Sequence, residues 1–196
     1  MRMASAACIH IFVSTFMFLA WFMAKGDDSY VRDACSVTRY QDLCVHTLAS
    51  FSSTAKRSPS KWARAGVSVT IGEVKSVAQN LTELKEFQLL RGRRNRAALS
   101  DCIECFRDAV DELHKSLGVL RNLSKSTFDI QMGDLNTWIS AALTNEDTCL
   151  DGFEGHKGKH VKSLQNWVLN ASYITSNALA LVNKLATTGL GSPTDP

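Results

Sequence analysis

Residues 98–117 read ALSDCIECFRDAVDELHKSL, and this stretch decides the fold class. Its apolar side chains return every three or four positions, which is the spacing of one face of an α-helix and not the alternation of a strand. The stripe continues on both sides and predicts a helix over residues 95–123. Its members are Leu99, Cys102, Phe106, Val110, Leu113, Leu117 and Leu120. The opposite face is charged, so we expect one face in a core and the other in water.

Three further segments repeat this spacing, over residues 60–90, 128–150 and 161–186. Ser60, which follows Pro59, is the predicted N-cap of the first of them. Glycines follow the 128–150 segment as stop signals. Pro59 is the only proline between residues 27 and 191, which also favours long helices. We therefore predict an all-α fold, an up-down-up-down four-helix bundle over residues 57–187.

The N-terminal 26 residues have the pattern of a cleaved signal peptide. Arg2 is followed by an apolar run at residues 9–22, and Ala24 and Gly26 are small residues suited to cleavage before Asp27. The apolar run is shorter than the ~20 residues that span a bilayer. We expect a secreted, extracellular chain with no membrane anchor after cleavage and a flexible C-terminal tail at residues 188–196.

Residues 27–56 are predicted to form a separate helical hairpin ahead of the bundle, with Cys35 and Cys44 nine positions apart. The mature chain keeps five cysteines, which in an oxidising compartment predicts two disulfides and one free thiol. The spare thiol is either Cys102 or Cys105, because these two lie one helical turn apart. Three sequons predict possible N-glycosylation, at Asn80, Asn122 and Asn170.

The overall charge balance does not indicate a nucleic-acid-binding protein. Without Arg2 and Lys25, the basic residues exceed the 19 acidic residues by one. One local exception is a cluster of four arginines within residues 91–96, comprising Arg91, Arg93, Arg94 and Arg96. The cluster is either a solvated loop between helices or a surface for an acidic polysaccharide or another negative partner.

No catalytic site, metal site or cofactor is predicted. The sequence contains no Gly-rich phosphate loop, no G-x-S-x-G elbow and no H-E-x-x-H motif. His156 and His160 have a spacing that could hold a metal on a helix, but Gly155 and Gly158 interrupt the segment, so we expect a solvated connector. A thiol at Cys105 is expected to be an inert member of the helical stripe.

Carboxylates recur along the charged side of the 95–123 helix. Glu104, Asp108 and Asp111 are three and four positions apart and so fall on one helical face. General acid–base catalysis needs a cleft around such groups, and a helix facing solvent provides none. The face is either simply solvated or a binding face for a protein partner.

Three segments together resemble the plant invertase and pectin methylesterase inhibitor domain family. They are CSVTRYQDLC at residues 35–44, the quoted stretch at 98–117, and WISAALTNEDTCLDGF at 138–153. The resemblance implies a disulfide-linked hairpin followed by a four-helix bundle, with bridges Cys35–Cys44 and Cys102–Cys149. Cys105 is then unpaired and departs from the family pattern. We expect a monomer or a weak homodimer, and a disulfide-linked dimer if this thiol is exposed.

The resemblance also indicates the partner. Invertase inhibition is associated in the family with a Pro-Lys-Phe tripeptide between the second and third bundle helices, and residues 123–128 read LSKSTF instead. We therefore expect an inhibitor of pectin methylesterase in the cell wall, or apoplast, that occludes the substrate cleft in a one-to-one complex. The expected contacts with the enzyme are Glu104, Asp108, Asp111 and Thr148. The alternatives are an inhibitor of cell-wall or vacuolar acid invertase, a pro-region of a pectin methylesterase, and a secreted helical carrier or interaction module.

Overall fold

The computed structural model describes residues 29–190. Residues 29–35 are helical and form α1. They are followed by α2 (Gln41–Leu48), a 3-10 turn (Ala49–Phe51), α3 (Ser52–Ala55), α4 (Pro59–Glu86), α5 (Arg93–Arg121), α6 (Phe128–Gly152) and α7 (Lys159–Thr188). The predicted signal peptide at 1–26 and the tail beyond residue 190 lie outside the described residues.

Four long helices form the bundle. Consecutive helices pack against each other, and α4 packs against α7, so the first and last helices close the ring. Short connections between consecutive helices make neighbours antiparallel. This confirms the predicted all-α, up-down-up-down architecture with a helical hairpin in front of it.

The start of α4 corrects one expectation. Ser58, not Ser60, is the N-cap: its side chain accepts a hydrogen bond from the Lys61 N–H at 3.3 Å, and Pro59 occupies the first helical turn. Ser60 lies inside the helix and is buried. Proline suits the first turn because its missing N–H is not needed there, so the cap falls one residue before the proline.

The core of the bundle is built from the predicted stripes. Large side chains buried from solvent include Phe106, Leu113, Leu135, Phe153 and Leu164. Gly66 of α4 lies at a tight contact, since a Cβ at this position would lie 3.0 Å from Leu181 Cδ1 and 3.4 Å from the Ala178 Cα of α7. The missing side chain lets α4 and α7 approach closely here.

The hairpin of α1 and α2 rests on α4 and α7 and has a smaller core of its own. Val31, Cys35, Cys44 and Leu48 are buried there against Trp62 and Leu181. The Trp62 indole N–H donates to the Lys56 carbonyl at 2.8 Å, which satisfies the one polar atom of a buried ring. Within the described chain, no helix is both long and apolar enough to cross a membrane.

Candidate functional site

Three carboxylates stand on the outer side of α5. Glu104, Asp108 and Asp111 are all exposed, whereas Cys102 and Phe106, on the other side of the same helix, are buried. None of the three carboxylates forms an ion pair or a side-chain hydrogen bond with another residue between 29 and 190. Their charges are therefore free to meet a partner.

Thr148, the fourth expected contact residue, lies on α6 and is also exposed. Its hydroxyl donates to the Thr144 carbonyl at 2.8 Å, one turn earlier in the same helix. This bond fixes the side chain and leaves the hydroxyl oxygen able to accept a hydrogen bond from outside.

Two disulfides are present, Cys35–Cys44 in the hairpin and Cys102–Cys149 between α5 and α6. The second bridge brings the Cα atoms of its cysteines to 4.5 Å. Glu104 is two residues from Cys102, and Thr148 is next to Cys149, so these two lie at the same level of the bundle. Asp111 lies about 10 Å beyond Glu104 along α5, at ~1.5 Å per residue. We call Glu104, Asp108, Asp111 and Thr148 the α5–α6 face.

Cys105 is the free cysteine of the described chain and is half-buried beside this face. Burial raises the pKa of its thiol, and the negative charges of Asp108, Asp101 and Glu104 raise it further, against an opposing backbone hydrogen bond. Because the thiolate is the nucleophile, a raised pKa disfavours reactivity. This supports the expectation of an inert thiol.

Sequence reasoning missed a buried acid, Glu146 of α6, whose side chain is fully shielded from solvent. One carboxyl oxygen accepts a hydrogen bond from the Thr175 hydroxyl of α7 at 2.7 Å, and the other has no partner within the described chain. Burial raises the pKa of Glu146 to about 8. A signal was available, because Glu146 continues the spacing of Ile139, Ala142 and Cys149, all of which are buried.

The remaining candidates for chemistry do not come together. His156 packs edge-on against the Phe153 ring, with centroids 5.5 Å apart, while His160 lies in the first turn of α7. Residues 29–190 contain no group of three or more His, Cys, Asp or Glu side chains placed to hold a metal.

The three predicted glycan acceptors differ in accessibility. Asn80 is half-buried within α4, and Asn170 is half-buried within α7, where its amide nitrogen donates to Glu73 Oε1 at 2.8 Å. Asn122 is exposed and follows the last residue of α5. Its amide donates to the Gly118 carbonyl, a single local bond at the surface.

Comparison with known proteins gives consistent results. The family described as "Plant invertase/pectin methylesterase inhibitor" matches residues 29–181. The chain is similar to "Pectinesterase inhibitor 6" of Arabidopsis thaliana, with 49% identity over 83% of this chain and 78% of the relative. "Pectinesterase inhibitor 3" of the same plant is 37% identical over 87% and 85% of the two chains.

The fold also has a counterpart among solved structures. A crystal structure of a mutant form of a pectin methylesterase inhibitor from Arabidopsis superimposes with a TM-score of 0.62, covering 76% of this chain and 92% of that one at 19% identity. At that identity, the superposition speaks for the fold alone.

Proposed function

The chain belongs to the plant invertase/pectin methylesterase inhibitor family, and from this premise we propose that it inhibits pectin methylesterase by forming a one-to-one, non-covalent complex. In this complex, the α5–α6 face covers the substrate cleft of the enzyme and excludes the pectin chain. The inhibitor performs no chemistry of its own.

The observation that carries this proposal is the set of unpaired carboxylates on a braced surface. Glu104, Asp108 and Asp111 point away from the core and have no cationic partner in the described chain. The Cys102–Cys149 bridge ties their helix to α6. Such groups can accept hydrogen bonds from N–H and O–H groups of an enzyme surface without first breaking contacts of their own.

A preformed helical face is suited to occlusion. Binding costs less conformational entropy when the contact residues are already ordered, and α5 and α6 are long enough to contribute to an interface of about 800 Å² per partner. Long helices that present their side chains on a rigid frame can therefore block a cleft through non-covalent contacts alone.

The packing of the bundle argues against a carrier of lipids or other apolar ligands. Phe106, Leu113, Leu135, Phe153 and Leu164 are all buried in the core between the four helices. A carrier needs an apolar cavity of several hundred Å³, and these side chains occupy the space where it would lie.

We also propose secretion to the cell wall as a glycoprotein, after removal of residues 1–26. The two disulfides suit an oxidising compartment. Asn122 is the preferred acceptor because it is exposed beyond the end of a helix. The half-buried, poorly ionised thiol of Cys105 supports a monomer over a disulfide-linked dimer.

The proposal is tested by neutralising the α5–α6 face. The triple variant Glu104→Gln/Asp108→Asn/Asp111→Asn is expected to inhibit a plant pectin methylesterase about tenfold more weakly, since each exposed polar contact contributes roughly 0.2–1 kcal/mol and 1.4 kcal/mol is tenfold. The measurement is the inhibition constant from methanol release on soluble pectin.

A matched variant removes three exposed carboxylates elsewhere, Asp42→Asn/Glu86→Gln/Asp129→Asn. It is expected to inhibit as the wild type does. Equal inhibition constants for the two triple variants would show that the α5–α6 face does not contact the enzyme.

A further inference from the structure

A groove of about 500 Å³ lies at one end of the bundle, where the α4–α5 connection meets the α6–α7 connection. Its walls include Phe87, Leu89, Arg91, Lys157, Lys159 and His160. The volume falls within the ~300–1,000 Å³ of sites that hold small ligands or short stretches of a polymer. The α5–α6 face does not use this end, because Glu104 is about 16 Å along α5 from its first residue at ~1.5 Å per residue.

The groove is lined by three cations, Arg91, Lys157 and Lys159, and by no acid. The two segments that form it are basic as well. Residues 87–96 carry four arginines and no acid, and residues 154–162 carry three lysines and one acid, Glu154. The formal charge of these two segments exceeds the +3 of the entire chain, so the rest of the chain is net acidic. The ion pairs of residues 29–190 join Lys115 to Glu112 and Lys184 to Asp33, both outside this groove. Its cations thus have no acidic partner within the described chain.

The backbone adds to the positive potential. Helices α5 and α7 both begin at this end, after Gly92 and Gly158, and neither has a side-chain cap or an acid in its first turn. Helix starts usually carry Ser, Thr, Asp or Asn caps and favour acids, because their free N–H groups and dipole attract negative charge. Here the first turns carry arginines and lysine instead, so local stability is lower than it could be while the attraction for an anion is higher.

The groove also has an apolar side. Phe87 is 69% exposed and Leu89 is 42% exposed. A phenyl ring beside guanidinium and ammonium groups matches a sugar acid, whose C–H face can lie on the ring while its carboxylate receives paired hydrogen bonds from arginine.

We propose that this groove binds a linear polyuronate, namely the de-esterified stretches of pectin that a pectin methylesterase produces. A row of regularly spaced carboxylates complements both the unpaired cations and the two open helix starts. The choice of a uronate over other polyanions rests on the proposed function. The basic character of the groove is independent of that function. Binding there concentrates the inhibitor on wall polymer that the enzyme has already processed and leaves the α5–α6 face free.

The test uses the purified, oxidised mature protein and α-1,4-linked oligogalacturonides of one length, either free or fully methyl-esterified, in titration calorimetry without any enzyme. The free acid is expected to bind, with an affinity that falls as salt is raised, and the ester is expected not to bind. Because no enzyme is present, the result does not depend on whether the chain inhibits one.

The groove variant Arg91→Gln/Lys157→Gln/Lys159→Gln is expected to bind the free acid about tenfold more weakly, from three exposed ion pairs. The matched control Lys75→Gln/Arg121→Gln/Lys125→Gln removes three exposed cations away from the groove and is expected to bind as the wild type does. The thermal unfolding temperature of the groove variant should be unchanged or higher, because the substitution Lys159→Gln removes a cation from the first turn of α7.

Three results would overturn the proposal: no binding of the free acid, equal binding of acid and ester, or equal losses in the two variants. A fourth outcome also contradicts it: if the groove variant keeps its affinity for oligogalacturonide but no longer inhibits pectin methylesterase, the groove is a protein contact instead.

Discussion

Glu146 is the residue whose environment departs most from its chemistry. Its carboxyl group lies in the core between α6 and α7 with one hydrogen bond, from Thr175. Burial raises its pKa to about 8, and the charge of neighbouring Asp147 adds to the rise, while the bond from Thr175 opposes it. The folded protein therefore holds this carboxyl in its neutral form under acidic conditions.

This predicts that the protein loses stability as the pH rises. In the unfolded chain Glu146 releases its proton near its ordinary pKa of 4.5, whereas in the folded chain it keeps the proton until about pH 8. Between these values the folded state binds the extra proton, so this contribution to the free energy of unfolding falls by up to about 1.4 kcal/mol per pH unit. Below pH 4.5 the protonated Glu146 makes its full contribution to stability, and above about pH 8 this contribution is lost entirely.

The Glu146→Gln variant is expected to lack this slope, because glutamine does not titrate and can still accept a hydrogen bond from Thr175. Urea unfolding at a series of pH values between 4 and 9 measures the slope for both proteins. Glu104→Gln, at an exposed position, serves as the control and should follow the wild type. Identical slopes in the wild type and Glu146→Gln would show that Glu146 is ionised in the folded core.

The sequence could not identify Glu146 as buried by composition alone. Its spacing from Ile139 and Cys149 places it on the apolar stripe, but a glutamate on such a stripe can also lie at its solvent edge. Whether Glu146 is buried depends on how closely α7 approaches α6, which is a tertiary contact. By contrast, exposure of Glu104, Asp108 and Asp111 was predictable, because they lie opposite a continuous stripe.

One side chain of the last helix binds both main-chain groups of a hairpin residue. Asn177 of α7 accepts a hydrogen bond from the Tyr40 N–H at 3.1 Å and donates one to the Tyr40 carbonyl at 2.9 Å. The Tyr40 ring also stacks on Tyr173, with centroids 4.0 Å apart. These contacts hold the start of α2 against the last helix.

Replacing this anchor should loosen the hairpin selectively. Asn177→Ala leaves the Tyr40 N–H unpaired at a partly buried position, at a cost of roughly 1–3 kcal/mol. The Tyr40 carbonyl keeps the hydrogen bond from the Cys44 N–H at 2.9 Å. Amide hydrogen exchange across residues 29–56 is expected to accelerate, with α5 and α6 unaffected. Asn183→Ala, at an exposed position on the same helix, should leave exchange as it is. Unchanged protection of the hairpin in Asn177→Ala would mean that its apolar contacts suffice.

The two disulfides are expected to differ in their effect on stability. In the chain-entropy account, the Cys102–Cys149 bridge closes a separation of 47 residues and contributes about 4 kcal/mol. The Cys35–Cys44 bridge closes a separation of nine residues and contributes about 2.6 kcal/mol. Urea unfolding of the two double Cys→Ala variants measures both values, and a larger loss from the hairpin bridge would contradict this ranking.

The presence of the bundle helices could be predicted from the sequence, but the positions of their ends could be predicted less well. Apolar spacing predicted all four bundle helices, with ends that differ from the structure by one to four residues, except that α6 begins at residue 128 as predicted. The 60–90 prediction runs past the end of α4 because Leu90 is apolar and buried, although the helix stops at Glu86 and Gln88 takes a positive φ of 49°. A buried side chain in a loop looks the same in sequence as one in a helix.

The molecule as a whole separates its charges. Carboxylates without partners lie along the side of α5, and cations without partners line the groove at the end where α5 and α7 begin. Both sets of charges were visible in the sequence as residues 104–111 and 91–96. Their placement at different parts of the bundle could not be predicted, because Lys157 and Lys159 come next to the arginines only when α6 and α7 pack against α5 and α4.

One paired assay tests most directly whether the chain inhibits pectin methylesterase. The purified, oxidised mature protein is added at equal concentration to a plant pectin methylesterase and to a plant acid invertase. Methanol release from pectin should stop at a one-to-one ratio of inhibitor to enzyme, with sucrose cleavage unaffected. Inhibition of the invertase with undiminished methanol release would contradict the account.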